Sequence, residues 1–161
     1  MPLPYRLNYE IVTEDDFVTS RLRVTSRGEG WQRERDLRVG AERDWSIIAS
    51  QDGQVQLEPA GGDAARLAGA LDCDLGLSPV TNMMLILRHD LLCHGGPIEF
   101  TTAWVAVPAL SVRADGQRYR HVRSAADHHV IRYEALDRTF AANITVDMDA
   151  VVSTTPASHG V

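Results

Sequence analysis

The stretch LDCDLGLSPVTN at residues 71–82 concentrates the side chains best suited to chemistry or recognition. On a strand, Asp72, Asp74 and Gly76 share one face, and Leu71, Cys73, Leu75 and Leu77 the other. Two carboxylates two residues apart on one face can share a cation or act as an acid/base pair. They can equally be structural, solvated or bonded to neighbouring turns. Ser78-Pro79 then reads as a helix cap followed by proline at the first helical position. Thr81 and Asn82 sit in that first turn, where short polar groups either satisfy orphan amides or face a ligand. Further along, Gln117, Tyr119 and His121 share one strand face, with Arg118 and Arg120 on the other. That arrangement points an amide and a phenol inward. It leaves the arginines to solvent or to a pairing with Asp72 and Asp74.

Other constellations are weaker. His89 and Cys93 are four apart and His94 follows, but neither Cys-x-x-Cys nor His-Glu-x-x-His occurs. His89 beside Arg88 reads as a complement to the helix dipole. His128 and His129 are strand neighbours facing opposite sides. No Gly-x-Ser-x-Gly elbow surrounds any serine. No lysine occurs, which excludes Schiff-base chemistry and a P-loop lysine. These residues call for no metal and no cofactor.

The elements that must position these groups are mostly strands. Alternation of period two runs through residues 5–11, 17–25, 30–40, 45–50, 98–107, 130–134 and 140–146, with a short return at 150–153. Asp52-Gly53 and Asp115-Gly116 each read as a hairpin turn between β-rich runs. Residues 61–70 read as a loop or a short helical turn. The one break in the rhythm is a helix over residues 79–92, apolar nearly all round and stopped by Gly95-Gly96-Pro97. Such a helix belongs inside something. The architecture expected is therefore many antiparallel strands around or against one buried helix.

The 161 residues favour one domain, 1–153, with a frayed tail at 154–161. A net charge of −6 weighs against nucleic acid and against anionic lipid surfaces. Two cysteines are too few for a disulfide framework. The start lacks a signal-peptide pattern and no run approaches a membrane span, so a cytoplasmic protein is expected.

In order along the chain, Asp72-x-Asp74-Leu75-Gly76-x-Ser78-Pro79-x-Thr81-Asn82 and an apolar helix to Arg88 precede Ala103-Trp104-Val105. Pro108-x-Leu110, Gln117-Arg118-Tyr119, Tyr133-Glu134, Phe140 and Val146-Asp147 follow, while Tyr9-Glu10-Ile11-Val12 and Ser20-Arg21-Leu22-Arg23-Val24 stand upstream. This series resembles the putative glycolipid-binding family, formerly a domain of unknown function. The resemblance implies a spiral β-roll, a long curved antiparallel sheet wrapped around a single helix, often dimeric. It departs from the pattern in a late start, in Phe17 for a tryptophan, in Asp149-Ala150-Val151 for a glycine turn, and in Thr155-Pro156 for Tyr-Pro. It implies non-enzymatic binding of an amphipathic, glycolipid-like ligand in a cleft between sheet and helix. The residues expected to touch it are Asp72, Asp74, Thr81, Asn82, Arg88, Gln117 and Tyr119. Two other readings stay open: an acid/base or metal-assisted enzyme centred on Asp72 and Asp74, and a homodimeric structural protein.

Overall fold

Alternating side chains and turn-forming breaks build ten strands and one α-helix in a computed structural model that describes residues 3–59 and 61–154. The expected tail lies outside the described residues, apart from Thr154. Strands β1 (Arg6–Thr13), β2 (Thr19–Gly28), β3 (Trp31–Val39) and β4 (Trp45–Gly53) form a four-stranded antiparallel sheet in that order. A second sheet has six strands: β5 (Asp72–Leu75), β6 (Ile98–Val105), β7 (Val112–Ser124), β8 (His129–Ala135), β9 (Ala141–Val146) and β10 (Val152–Thr154). They lie in the order β10-β9-β8-β7-β6-β5. The expectation of a mainly β chain with one helix holds. One pair departs from the antiparallel rule: β5 runs parallel to β6. Parallel neighbours need a crossover connection, and the helix α1 (Pro79–Arg88) lies in the segment that joins them.

The chain divides into two compact units, one of Met1–Leu77 and Thr102–Ala114, the other of Ser78–Thr101 and Asp115–Val161. In the first unit, Leu22, Val24, Leu37 and Trp45 from the four-stranded sheet pack with Leu67, Cys73, Leu75, Val105 and Leu110. Two arginines, Arg33 and Arg35, point to the same face of β3 as Trp31 and Leu37 and are buried. Arg33 gives its protons to the Gln51 side chain and to the carbonyls of Glu58 and Ala109, at 2.7–2.9 Å. A single turn of 3₁₀ helix, Ala64–Leu67, settles the undecided stretch at 61–70, and the Asp63 carboxylate caps it by accepting from the Ala65 amide.

In the second unit, α1 buries Leu85 and Ile86 against Tyr119, Ile131, Tyr133, Ile144 and Val146. Each such apolar side chain contributes roughly 1.5–3 kcal/mol. The expectation of a buried helix holds within this unit, since only Pro79 and Val80 of α1 are exposed. Its length does not: the helix ends at Arg88, not at residue 92. Asp90 adopts a left-handed conformation, φ 49°, so the Leu91 amide bonds back to the Ile86 carbonyl and the Asp90 amide to that of Leu87. This pattern closes a helix, usually with glycine at the left-handed position. An aspartate there hides the stop from sequence. Leu91 nonetheless stays buried, packed in the same cluster as Ile86.

Both Asp-Gly hairpins expected from sequence are absent. Asp52 and Gly53 are the last residues of β4, opposite Gln32 and Trp31. Gly53 is needed for closeness, because a Cβ there would lie 2.0 Å from the Gly30 carbonyl oxygen. Asp115 and Gly116 lie inside β7. The Gly116 carbonyl accepts from the Leu136 amide at 2.9 Å, and the Asp115 carboxylate is buried and ion-paired to Arg138. Tertiary partners keep these residues extended where local preference would turn the chain.

Candidate functional site

The second unit holds five of the seven side chains expected at a site: Thr81, Asn82, Arg88, Gln117 and Tyr119. β7 is extended through Asp115, so Asp115, Gln117 and Tyr119 all project from one face and all are buried. The helix presents Asn82 to the same ring: its amide donates to the Tyr119 hydroxyl at 2.6 Å. Asn82 therefore does not cap the helix. Nor does the Ser78 side chain, although Ser78 occupies the cap position; its carbonyl accepts from the Thr81 hydroxyl at 3.0 Å. Thr81 is buried in that first turn.

A polar network continues from Gln117. Its amide donates to Asp115 at 3.0 Å, Arg138 pairs with the same carboxylate, and Arg138 also donates to the Tyr133 hydroxyl at 3.2 Å. At the helix end, Arg88 lies 3.4 Å from the His89 ring nitrogen. His89 is the closing residue of α1, and its ring lies flat on Phe100, centroids 5.6 Å apart and planes within 5°. From Phe100 a row of rings continues to Tyr119 (5.4 Å), Tyr133 (5.4 Å, edge-on) and Phe140 (5.8 Å). His89 and Phe100 are half-buried, Tyr119 and Tyr133 buried, and Phe140 exposed.

This row was not anticipated. Phe100, Tyr133, Asp115 and Arg138 are the residues that sequence reasoning missed. A signal existed for Asp115: it is in phase with Gln117 and Tyr119 once the Asp-Gly pair is taken as strand. Nothing in the sequence brings Phe100 and Tyr133 to Tyr119, because the three come from different strands.

Asp72 and Asp74 belong to the first unit. All four residues of β5 are buried, so the carboxylates are not on a solvated edge. Both are engaged by neighbours. On the opposite face of β5, Cys73 joins the apolar core, and the Thr19 hydroxyl accepts from its amide at 3.1 Å. Burial, helped by the nearby carboxylates of Asp74 and Asp72, pushes the Cys73 thiol up to about 12. Cys93 is exposed, and hydrogen bonding to Asp90 raises its thiol too. Neither sulfur is activated as a nucleophile. The suggested partnership of Arg118 with Asp72 and Asp74 is replaced by one with Glu99, at 2.5 Å, and Glu134, at 3.8 Å. Both carboxylates sit on strands beside β7, within reach of its outer face.

Among the described residues, no group of three or more His, Cys, Asp or Glu is placed to hold a metal ion. No helix among them is long and apolar enough to cross a membrane. A shallow hollow of about 310 Å³ lies elsewhere, lined by Gln51, Gln54, Val55 and Gln56.

Strands, a single helix, and a few hydrogen-bonded polar groups among rings define a mainly β protein. Comparison with known proteins narrows this. The family described as putative glycolipid-binding matches residues 2–159, and the chain belongs to that family. The crystal structure at 1.80 Å of a DUF1089 family protein from Pseudomonas aeruginosa is similar, with a TM-score of 0.74 and 26% identity. The similarity covers 96% of this chain and 76% of that one. No curated protein matches.

Proposed function

We propose that the chain binds an amphipathic ligand of the glycolipid type, without chemistry on it, at the helix-bearing face of the second unit. The observation that supports this most is the ring row from His89 to Phe140 with Asn82 hydrogen-bonded to its centre. Ligand sites of this kind are mainly apolar and aromatic, with few polar groups that set orientation. Aromatic faces carry negative charge and attract the positive C–H edges of a sugar ring. Half-buried Asn82, Arg88, His89 and Phe100 are the groups a headgroup meets. Buried Tyr119 and Gln117 stand behind them: Tyr119 orients the Asn82 amide, and Gln117 joins the Asp115–Arg138 pair that anchors Tyr133. Sugar hydroxyls both donate and accept, which suits an amide beside a phenol. The family to which the chain belongs carries the same suggestion in its description.

The test uses dodecyl maltoside below its micellar concentration, followed by calorimetry. Saturable binding is expected. Asn82→Ala weakens it roughly tenfold, the worth of about one hydrogen bond. Phe100→Ala weakens it further, and Arg118→Ala on the outer face leaves it unchanged. Absence of binding, or wild-type affinity in both Asn82→Ala and Phe100→Ala, overturns the reading.

A further inference from the structure

The distal end of the β7–β8 hairpin carries a cluster that the proposed ligand site does not use. His121 Nε2 lies 3.3 Å from His129 Nδ1, and the Ser124 hydroxyl lies 3.1 Å from each. Strand alternation alone would not produce this. Residues 121 and 124 are three apart and would face opposite sides of a regular strand. The register shifts between His121 and Arg123: His121 stands opposite Ile131, Arg123 opposite Val130, and Ser124 opposite His129. The extra residue, Val122, reverses the parity and turns Ser124 onto the face that carries both imidazoles. Bulges commonly re-aim a side chain in this way. The hairpin then closes at once, with the Ala125 amide bonded to the His128 carbonyl at 2.8 Å.

We propose that His121, Ser124 and His129 form a surface binding site for a divalent transition-metal ion of the zinc type. The geometry carries the argument. A tetrahedral zinc with bonds of about 2.0–2.1 Å holds neighbouring donor atoms about 3.3 Å apart. The three pairwise distances here, 3.3, 3.1 and 3.1 Å, match one triangular face of that tetrahedron. In the metal-free chain the serine hydroxyl bridges the two rings, so the donors are held together before an ion arrives. Two neutral imidazoles and a hydroxyl, with no carboxylate among them, favour zinc, copper or nickel over calcium or magnesium. His129 is buried and fixed, His121 half-buried, and Ser124 exposed, which leaves the outer coordination position to water. Coordination through His129 Nδ1 places that ring's proton on Nε2. This nitrogen is buried and has no hydrogen-bond partner among the described residues, which tempers the affinity.

Zinc(II) titration of the full chain, free of any histidine tag, tests the proposal by calorimetry together with nitrogen-15 spectra of the histidine rings. One ion per chain is expected at neutral pH, with the nitrogen-15 signals of His121 Nε2 and His129 Nδ1 shifting on binding. His121→Ala, a change at a half-buried position, lowers affinity at least tenfold, and Ser124→Ala lowers it less. Cys93→Ser leaves it unchanged. Failure of zinc to bind, full binding by His121→Ala, or loss of binding in Cys93→Ser overturns the proposal.

Discussion

At the scale of single residues, buried charge is the organising feature. Asp36 is nearly buried on β3 and takes a two-pronged bond from Arg21 at 2.8 Å and a further pair of bonds from Arg38. Hydrogen bonding to Arg21, then to Arg38, holds its carboxyl far below the usual carboxylate range despite burial. A group whose folded-state pKa is depressed stabilises the fold above its unfolded pKa and loses that contribution as pH falls. Asp36→Asn is therefore expected to cost about 1 kcal/mol at pH 7, since both arginines remain partly solvated. The deficit should shrink steadily as pH drops below about 4, where the unfolded carboxylate protonates. Urea denaturation at pH 7 and pH 2.5 reads this out. An equal deficit at both values would remove the ion pair from the account.

At the scale of elements, the informative features are close approaches rather than propensities. Gly30 and Gly53 both adopt positive φ, 72° and 73°. A Cβ on Gly30 meets nothing within 4 Å, whereas one on Gly53 lies 2.0 Å from the Gly30 carbonyl oxygen. Gly30→Ala is thus expected to cost only the left-handed strain, about 1–2 kcal/mol. Gly53→Ala must also push the β2–β3 turn away from β4, and should cost more than that strain alone. Melting curves of the two variants under one condition decide it, with Gly53→Ala lower. The same logic explains why local reading failed at Asp52-Gly53 and Asp115-Gly116. An Asp-Gly pair is the best short turn signal, but Gly53 serves a backbone contact and Asp115 an ion pair with Arg138. Both roles are set by residues distant in sequence. The helix stop failed for the opposite reason: its left-handed residue is an aspartate, so the closure after Arg88 carries no glycine to mark it.

At the scale of the whole molecule, each compact unit has its own apolar cluster, and in the second that cluster depends on α1. Leu85 is fully buried there. Leu85→Ala should cost about 2–5 kcal/mol, a large share of a typical total near 5–15 kcal/mol. Chemical denaturation checks the size. Native-state hydrogen exchange checks the place, with protection expected to fall first at β8 and β9. A loss confined to β1–β4 would show that α1 is not what holds the second unit.

What the sequence alone determined was everything that depends on near neighbours. Period-two alternation placed the strands, Ser78-Pro79 marked the helix start, an all-round apolar pattern marked the helix as buried, and the ordered motifs marked the family. Gln117 and Tyr119 fell on one inward face because strand parity is local. What only the tertiary structure decided was which faces meet. The parallel pairing of β5 with β6, the Asn82–Tyr119 bond, the ring row from His89 to Phe140 and the His121–Ser124–His129 cluster all join residues from separate elements. The physical reason is that periodicity tells a side chain which side of its own element to take. The partner across the gap is chosen by packing and register, where a single extra residue such as Val122 reverses the outcome.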